Sequence, residues 1–111
     1  FYIENGSIML DQSPEEMVKM ISELGCGELF FTSMDKDGSG EGFDIKSIQR
    51  MVDSCDIPVI ACGGALEIFD FEEVAKIEGI SGIAAGNMFH FTENIYPRSK
   101  KKLKNKSLNF R

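Results

Sequence analysis

The chain has 111 residues, a net charge of −6 and three cysteines. This length supports one independently folding core, but it falls short of the about 250 residues of a complete eight-fold α/β barrel. The acidic balance disfavours a nucleic-acid partner, and no apolar run is long enough to cross a membrane. Because three cysteines cannot all pair within one chain and we recognise no signal peptide, we expect a cytoplasmic protein with free thiols.

The first strong element along the chain is a helix that begins after Ser13. Pro14 suits the first helical position, and Glu16 completes a capping box with Ser13. Residues 1–6 are too few to assign to a strand or a loop. One apolar helix face is predicted from residues that recur at helical spacing, namely Met17, Met20, Ile21 and Leu24.

Three short apolar runs predict β-strands, and each is followed by a helical pattern. The strands cover residues 28–33, 57–61 and 82–85. The helices begin at Asp44, a suitable cap, and at Asp70, which we pair with Glu73 in a capping box; a last helix covers residues 96–106. This strand–helix repeat predicts a parallel α/β sheet with no internal domain boundary.

Basic residues are concentrated at the end of the chain, where residues 98–111 hold seven of the 12 Lys and Arg. Such a cluster can bind nucleic acid or an anionic membrane, but cations also suit the C-terminal end of a helix. Because the rest of the chain is acidic, we predict a solvated helix end and no nucleic-acid or membrane partner.

Glycines follow two consecutive predicted strands. Gly63 and Gly64 come after the second strand, and Gly86 with Asn87 comes after the third. Without side chains, the backbone N–H groups there can approach an anion closely. A glycine pair alone also suits a tight turn, but phosphate commonly binds after the last two strands of α/β barrels. Two such loops on consecutive units therefore predict a phosphate site.

Asp35 and Asp37 lie in the glycine-rich stretch after the first predicted strand, at the strand end where α/β sheets carry chemistry. The pattern departs from a calcium loop in spacing and context. Two interpretations stay open: turn residues that bond their own backbone, or hydroxyl-binding and acid–base groups, which we favour for Asp37. Glu28 begins the strand at the opposite end of the sheet, where solvent exposure is the default.

Cys62 lies at a strand end, but a thiol nucleophile needs a base. The single histidine, His90, follows a different strand. We therefore predict three buried structural cysteines and no catalytic thiol, and no pattern in the sequence indicates a metal site.

Three motifs, taken together, closely resemble the C-terminal half of the cyclase subunit of imidazole glycerol phosphate synthase. They are G-E-L-F-F-T-S-M-D-K-D-G-S-G-E-G-F-D at 27–44, I-P-V-I-A-C-G-G-A at 57–65 and A-A-G-N-M-F-H-F at 84–91. That family is a (βα)8 barrel with a phosphate site in each half. The resemblance implies that residues 1–111 form a partial barrel domain with about strands six to eight and their flanking helices.

The resemblance also implies roles for individual residues. Thr32 and Asp37 match strand-six positions that contact the substrate, with Asp37 in a supporting catalytic role and Asp35 a further candidate for substrate binding. Glu28 matches a charged position on the barrel floor, where ammonia enters from a glutaminase partner. The two phosphate loops are matched by Gly63, Gly64, Gly86 and Asn87.

Members of that family use ammonia to close an imidazole ring and cleave a phosphorylated nucleotide substrate in histidine biosynthesis, and no cofactor is implied. The chain opens on Phe1 and the two essential aspartates of the family would precede it, so we expect a fragment that is inactive alone. Cys62 and Asn87 replace usual serines, and the third motif is similar to a paralogous branch that amidates sugars for surface polysaccharide. A non-catalytic, phosphate-binding half-barrel that dimerises is the remaining alternative.

Overall fold

The computed structural model describes residues 2–4, 6–90 and 95–105 of the chain. Near its start, β1 (Tyr2–Ile3) and β2 (Ile8–Met9) pair as a short antiparallel hairpin. Gly6 has a φ of +85° in the connecting turn, a conformation that glycine adopts without strain. Within the described residues, no helix is long and apolar enough to cross a membrane.

The central sheet has three parallel strands that lie side by side in chain order. They are β3 (Leu29–Thr32), β4 (Val59–Cys62) and β5 (Ile80–Ile83). The parallel sheet confirms the prediction from the strand–helix repeat. The last strand begins two residues earlier than predicted, because Ile80 pairs with Val59 before a register irregularity shifts the remaining pairs.

Over the described ranges, four α-helices accompany the strands. They are α1 (Pro14–Glu23), α2 (Ile45–Asp53), α3 (Ile68–Val74) and α4 (Ile95–Lys104). Both predicted caps of the first two helices are confirmed, since Ser13 and Glu16 form a reciprocal capping box and Asp44 accepts a hydrogen bond from the Ser47 amide. Lys106 and Arg111 of the predicted basic cluster lie outside the described residues.

The predicted start of α3 was wrong. Asp70 does not precede this helix but lies in its first turn, and its carboxylate accepts hydrogen bonds from the amides of Leu66 (2.8 Å) and Glu67 (2.7 Å). The N-cap of this helix is therefore Glu67 and not Asp70, the cap predicted from the sequence. The predicted apolar face of α1 was also partly wrong, because Val18 is buried whereas Leu24 is 79% exposed.

The hydrophobic core lies on one face of the sheet. Side chains alternate between the two faces of a strand, and Phe31, Ala61 and Ile83 point toward the helices. Helices α2 and α3 cover this face with buried residues, among them Ile48, Met51, Phe71 and Val74. The opposite face carries Phe30, which is 57% exposed. A sequential parallel sheet with its core on one face is consistent with part of a (βα) barrel.

Candidate functional site

A cleft of about 320 Å³ opens at the carboxyl ends of the three parallel strands. Its walls come from the loops after β3, β4 and β5, and the residues are Asp37–Gly40, Cys62–Leu66 and Ala85–Met88. The three predicted strand-end motifs thus meet in one place. In parallel α/β folds this edge of the sheet is where ligands bind.

The loop after β4 has room for glycine alone at two successive positions. Gly63 and Gly64 have φ of +92° and +103°, which side-chain-bearing residues rarely adopt. A Cβ at Gly63 would lie 2.9 Å from the Ser33 carbonyl oxygen, and one at Gly64 would lie 2.1 Å from the Gly42 carbonyl oxygen. The glycine pair therefore lets this loop lie directly against the loop after β3.

The same two loops are joined by a backbone hydrogen bond. The amide of Gly42 donates to the carbonyl of Gly64 at 2.9 Å, and this bond fixes the orientation of the Gly64 peptide. Within the part of the chain that the structure describes, the amides of Gly64 and Ala65 donate to no other group. Both residues line the cleft, so these N–H groups are candidates for binding an anion there.

The loop after β5 supplies the third wall through a short 3₁₀ helix, Asn87–Phe89. Met88 is buried and anchors this turn in the core. Gly86 and Asn87 are exposed and line the cleft. Gly86 has a φ of −110°, and a Cβ added there would meet no atom within 4 Å, so this position tolerates a side chain.

The two aspartates after β3 differ in position. Asp37 lines the cleft, whereas Asp35 is exposed and does not. Neither carboxylate makes a hydrogen bond within the described residues, and the turn is held by backbone bonds such as Asp37 N–H to Ser33 O (2.9 Å). The turn-forming interpretation, which required side-chain bonds to the local backbone, does not fit this arrangement.

Two further predicted site residues lie away from the cleft walls. Thr32 is the last residue of β3 and pairs with Cys62, but it is exposed on the open face of the sheet. Glu28 is exposed immediately before β3, at the amino ends of the strands. The structure therefore brings together Asp37, the glycine pair and Gly86 with Asn87, while Thr32, Asp35 and Glu28 stand outside this group.

Among the described residues that line the cleft, none is a lysine or an arginine. Asp37 is the only acidic residue on the described walls, so an anion there would depend on neutral donors such as backbone amides. The nearest basic residue in the chain, Lys36, forms an ion pair with Glu41 at 2.9 Å. This hydrogen-bonded pair raises the pKa of Lys36 and lowers the pKa of Glu41.

The cysteines offer little additional chemistry. All three are free and only half-buried, so their predicted full burial was wrong. Cys62 lines the cleft, but His90 does not, which leaves the thiol without the histidine base it would need. Among the residues that the structure describes, no three His, Cys, Asp or Glu side chains are arranged to hold a metal ion.

Sequence reasoning did not identify Ser39, Gly40 and Leu66 as cleft residues. Ser39 and Gly40 belong to the glycine-rich stretch that was singled out, so their place in the loop was the available signal. Leu66 is 58% exposed and packs against Gly40, where a Cβ would lie 3.3 Å from its side chain. Nothing in the local sequence predicts that contact.

Sequential parallel βα units with a glycine-walled cleft at the strand ends place the chain in the α/β class and are consistent with a segment of a (βα) barrel. Comparison with family models makes this more specific. The chain belongs to the family described as histidine biosynthesis protein, whose model matches residues 1–94.

Two curated relatives share one name. The chain is 36% identical over 110 residues to imidazole glycerol phosphate synthase subunit HisF of Pyrobaculum aerophilum. This match covers 99% of this chain and 43% of that protein. It is 46% identical over 78 residues to the subunit of the same name from Pyrococcus furiosus, covering 70% of this chain and 31% of that protein. The chain thus spans less than half the length of these curated relatives.

Proposed function

We propose that residues 1–111 are part of an ammonia-using cyclase subunit of the imidazole glycerol phosphate synthase type, in the pathway of histidine biosynthesis. Family membership supports this proposal, as do relatives named HisF at 36% and 46% identity. The substrate is a phosphorylated small molecule. The partner is a glutaminase subunit that supplies ammonia.

Residues 1–111 form the C-terminal half of the barrel, with β3, β4 and β5 as strands six, seven and eight. The sequential parallel order of the strands supports this arrangement. So does the exposure of Phe30, since the sheet face opposite the helices is the one that lines the interior of a closed barrel. Glu28, at the amino ends of the strands, would then lie beside the ammonia passage.

The cleft at the strand ends is the observation that carries the proposal. Two glycine loops from consecutive strands form its walls, and the amides of Gly64 and Ala65 have no other acceptor among the described residues. Such amides suit the phosphate group of the substrate. Asp37 faces the same space and would bind a substrate hydroxyl or assist proton transfer. Thr32 and Asp35, outside the cleft walls, would contact more distant parts of the substrate.

The phosphate site is tested by Gly86→Asp in the intact protein, with Gly86→Ala as the matched control. A Cβ at Gly86 meets nothing within 4 Å, so neither substitution places its first side-chain atom in a clash. The aspartate adds a second negative charge to the cleft and should weaken binding of inorganic phosphate about ten-fold or more in calorimetry. The alanine should leave the affinity within about two-fold. Equal affinities for the two variants would place the phosphate elsewhere.

The reaction itself is tested by turnover of the intact protein with ammonium salt, and with glutamine plus the glutaminase subunit. We expect formation of the imidazole product from both nitrogen sources. Lack of product from the nucleotide substrate, with phosphate binding retained, would favour the sugar-amidating paralogue. Asn87 supports that alternative, because it presents a side-chain amide to the cleft in place of a hydroxyl.

A second candidate function, a phosphate-binding half-barrel that dimerises, is favoured by the uncovered sheet face around Phe30. Sedimentation of the 111-residue polypeptide distinguishes the two candidates. A stable dimer that binds phosphate would support the half-barrel. A monomer would count against it.

A further inference from the structure

An ion pair connects two residues of the loop between β3 and α2. Lys36 and Glu41 flank the cleft-lining segment Asp37–Gly40 on either side, and their side chains meet at 2.9 Å. Between them, the Ser39 hydroxyl donates to the Lys36 carbonyl at 2.8 Å and accepts from the Glu41 amide at 3.1 Å. The ion pair and the Ser39 hydroxyl thus both stabilise the same turn.

This turn has little intrinsic rigidity. Gly38, Gly40 and Gly42 all have positive φ, and glycine loses more conformational freedom on ordering than any other residue. A loop of this composition samples many conformations unless contacts select one. The Lys36–Glu41 pair can therefore select one conformation of the loop, although exposed ion pairs contribute little to global stability.

The loop lies close to the neighbouring loop after β4 at Gly64 and at Leu66. Gly42 donates its amide to the Gly64 carbonyl. Gly40 packs against Leu66, and the Lys36 Cβ lies 3.1 Å from the place where a Gly64 Cβ would be. A change in the conformation of the loop would therefore move the Gly64–Ala65 peptide, which carries the Ala65 N–H, and with it the adjoining Gly64 N–H.

We propose that Lys36 and Glu41 are positioning residues: their ion pair holds the β3–α2 loop in the shape that orients the Gly64 and Ala65 amides toward a phosphate group. This inference rests on the proposed phosphate site. Neither residue lines the cleft, and Lys36 acts through Glu41 and not as a direct phosphate ligand.

The direction in which each of two single substitutions changes phosphate affinity distinguishes a positioning role from a purely electrostatic one. If charge alone mattered, Glu41→Gln would remove a nearby negative charge and strengthen phosphate binding, whereas Lys36→Gln would weaken it. If the pair positions the loop, both substitutions weaken binding of inorganic phosphate, by about two- to five-fold. The double variant Lys36→Glu with Glu41→Lys restores the pair and should recover most of the affinity.

A second ion pair provides a matched control. Glu15 and Arg50 form an exposed pair between α1 and α2, away from the cleft walls. Arg50→Gln removes a pair of the same kind and should leave phosphate affinity unchanged. Amide hydrogen exchange in the absence of phosphate gives an independent readout, because loosening the loop should speed exchange of the Gly42 N–H, which donates to Gly64.

The outcomes distinguish the two proposals. Faster Gly42 exchange with weaker phosphate binding in both single variants supports the positioning role. Tighter or unchanged binding in Glu41→Gln, with phosphate still bound by the wild type, overturns the positioning role and leaves the phosphate site intact. Absence of phosphate binding by the wild-type protein overturns the site, and with it this role of the ion pair.

Discussion

Gly42 and Gly64 interlock, since the amide of Gly42 donates to the Gly64 carbonyl at 2.9 Å and its carbonyl oxygen occupies the space of a Gly64 side chain. A Cβ at Gly64 would approach that oxygen to 2.1 Å. The loops after β3 and β4 can therefore approach this closely only with glycine at position 64.

This relationship predicts the cost of Gly64→Ala. The positive φ costs about 1–2 kcal/mol for an alanine, and displacing the Gly42 backbone adds about 1–3 kcal/mol, so we expect the free energy of unfolding to fall by about 2–5 kcal/mol. Gly25→Ala is the matched control, because Gly25 has a φ of +88° with no atom within 4 Å of a Cβ. In denaturant titrations, Gly25→Ala should lower the free energy of unfolding only by the backbone strain of about 1–2 kcal/mol. Similar losses in both variants would mean that the loops separate at no cost.

Local signals in the sequence were enough to predict much of the fold. The caps at Ser13 and Asp44 were predicted correctly because a capping box and an N-cap depend on residues three positions apart. The glycine loops after β4 and β5 were identified as candidate phosphate loops for a similar reason, since glycine after an apolar strand is a local pattern, and both loops line the cleft. The parallel sheet followed from the repeat of strand and helix.

Features that depend on distant residues were not predictable in this way. Glu67 with Asp70 and Asp70 with Glu73 both have capping-box spacing, and the choice between them depends on how α3 packs. Helical periodicity identified an apolar stripe on α1, but it carried no information on whether Leu24 is covered. The contact of Gly42 with Gly64 joins two loops that are far apart in the sequence, so no local pattern indicates it.

The N-cap of α2 predicts a specific dependence of stability on pH. Hydrogen bonding from Ser47 lowers the pKa of Asp44 below its ordinary value of 3.8, partly opposed by burial. A carboxyl group with a depressed pKa stabilises the folded state above its unfolded-state pKa, and this contribution is lost as the pH falls through the folded-state pKa. Wild type should therefore exceed Asp44→Asn in stability above about pH 4, with the difference vanishing at lower pH.

Urea unfolding of both proteins across pH 2–7 would measure this difference, since acid effects elsewhere in the chain cancel in the comparison. Asp44→Ala, which also removes the cap, should cost about 1 kcal/mol at neutral pH. A gap between wild type and Asp44→Asn that is constant with pH would contradict the assigned hydrogen bond.

The contacts of Phe71 with two other aromatic rings predict that its removal strongly lowers the free energy of unfolding. Its ring meets Phe43 edge-on, with centroids 5.8 Å apart, and lies 6.5 Å from Phe89. These three rings come from the loop after β3, from α3 and from the turn after β5, so they connect the elements that bear all three walls. Phe71→Ala should lower the free energy of unfolding by about 3–5 kcal/mol. Phe69→Ala, on the same helix at 57% exposure, should cost about 1 kcal/mol or less in the same denaturant titration.

Asp37 and Asp35 allow a test of the proposed catalytic role, because they lie in the same loop with one inside the cleft and one outside it. Asp37→Asn should lower kcat of the intact protein by about 10²-fold, as expected for loss of a group that assists proton transfer. It should not weaken phosphate binding, because the change removes a negative charge from the cleft and so reduces repulsion. Asp35→Asn removes the same charge outside the cleft walls. Because Asp35 is proposed to contact only a distant part of the substrate, its loss should raise KM and change kcat by less than about three-fold. Steady-state kinetics with parallel phosphate titrations would measure both effects. Equal loss of kcat in the two variants would indicate that the loop contributes through its overall charge, and Asp37 would then have no distinct role in the reaction.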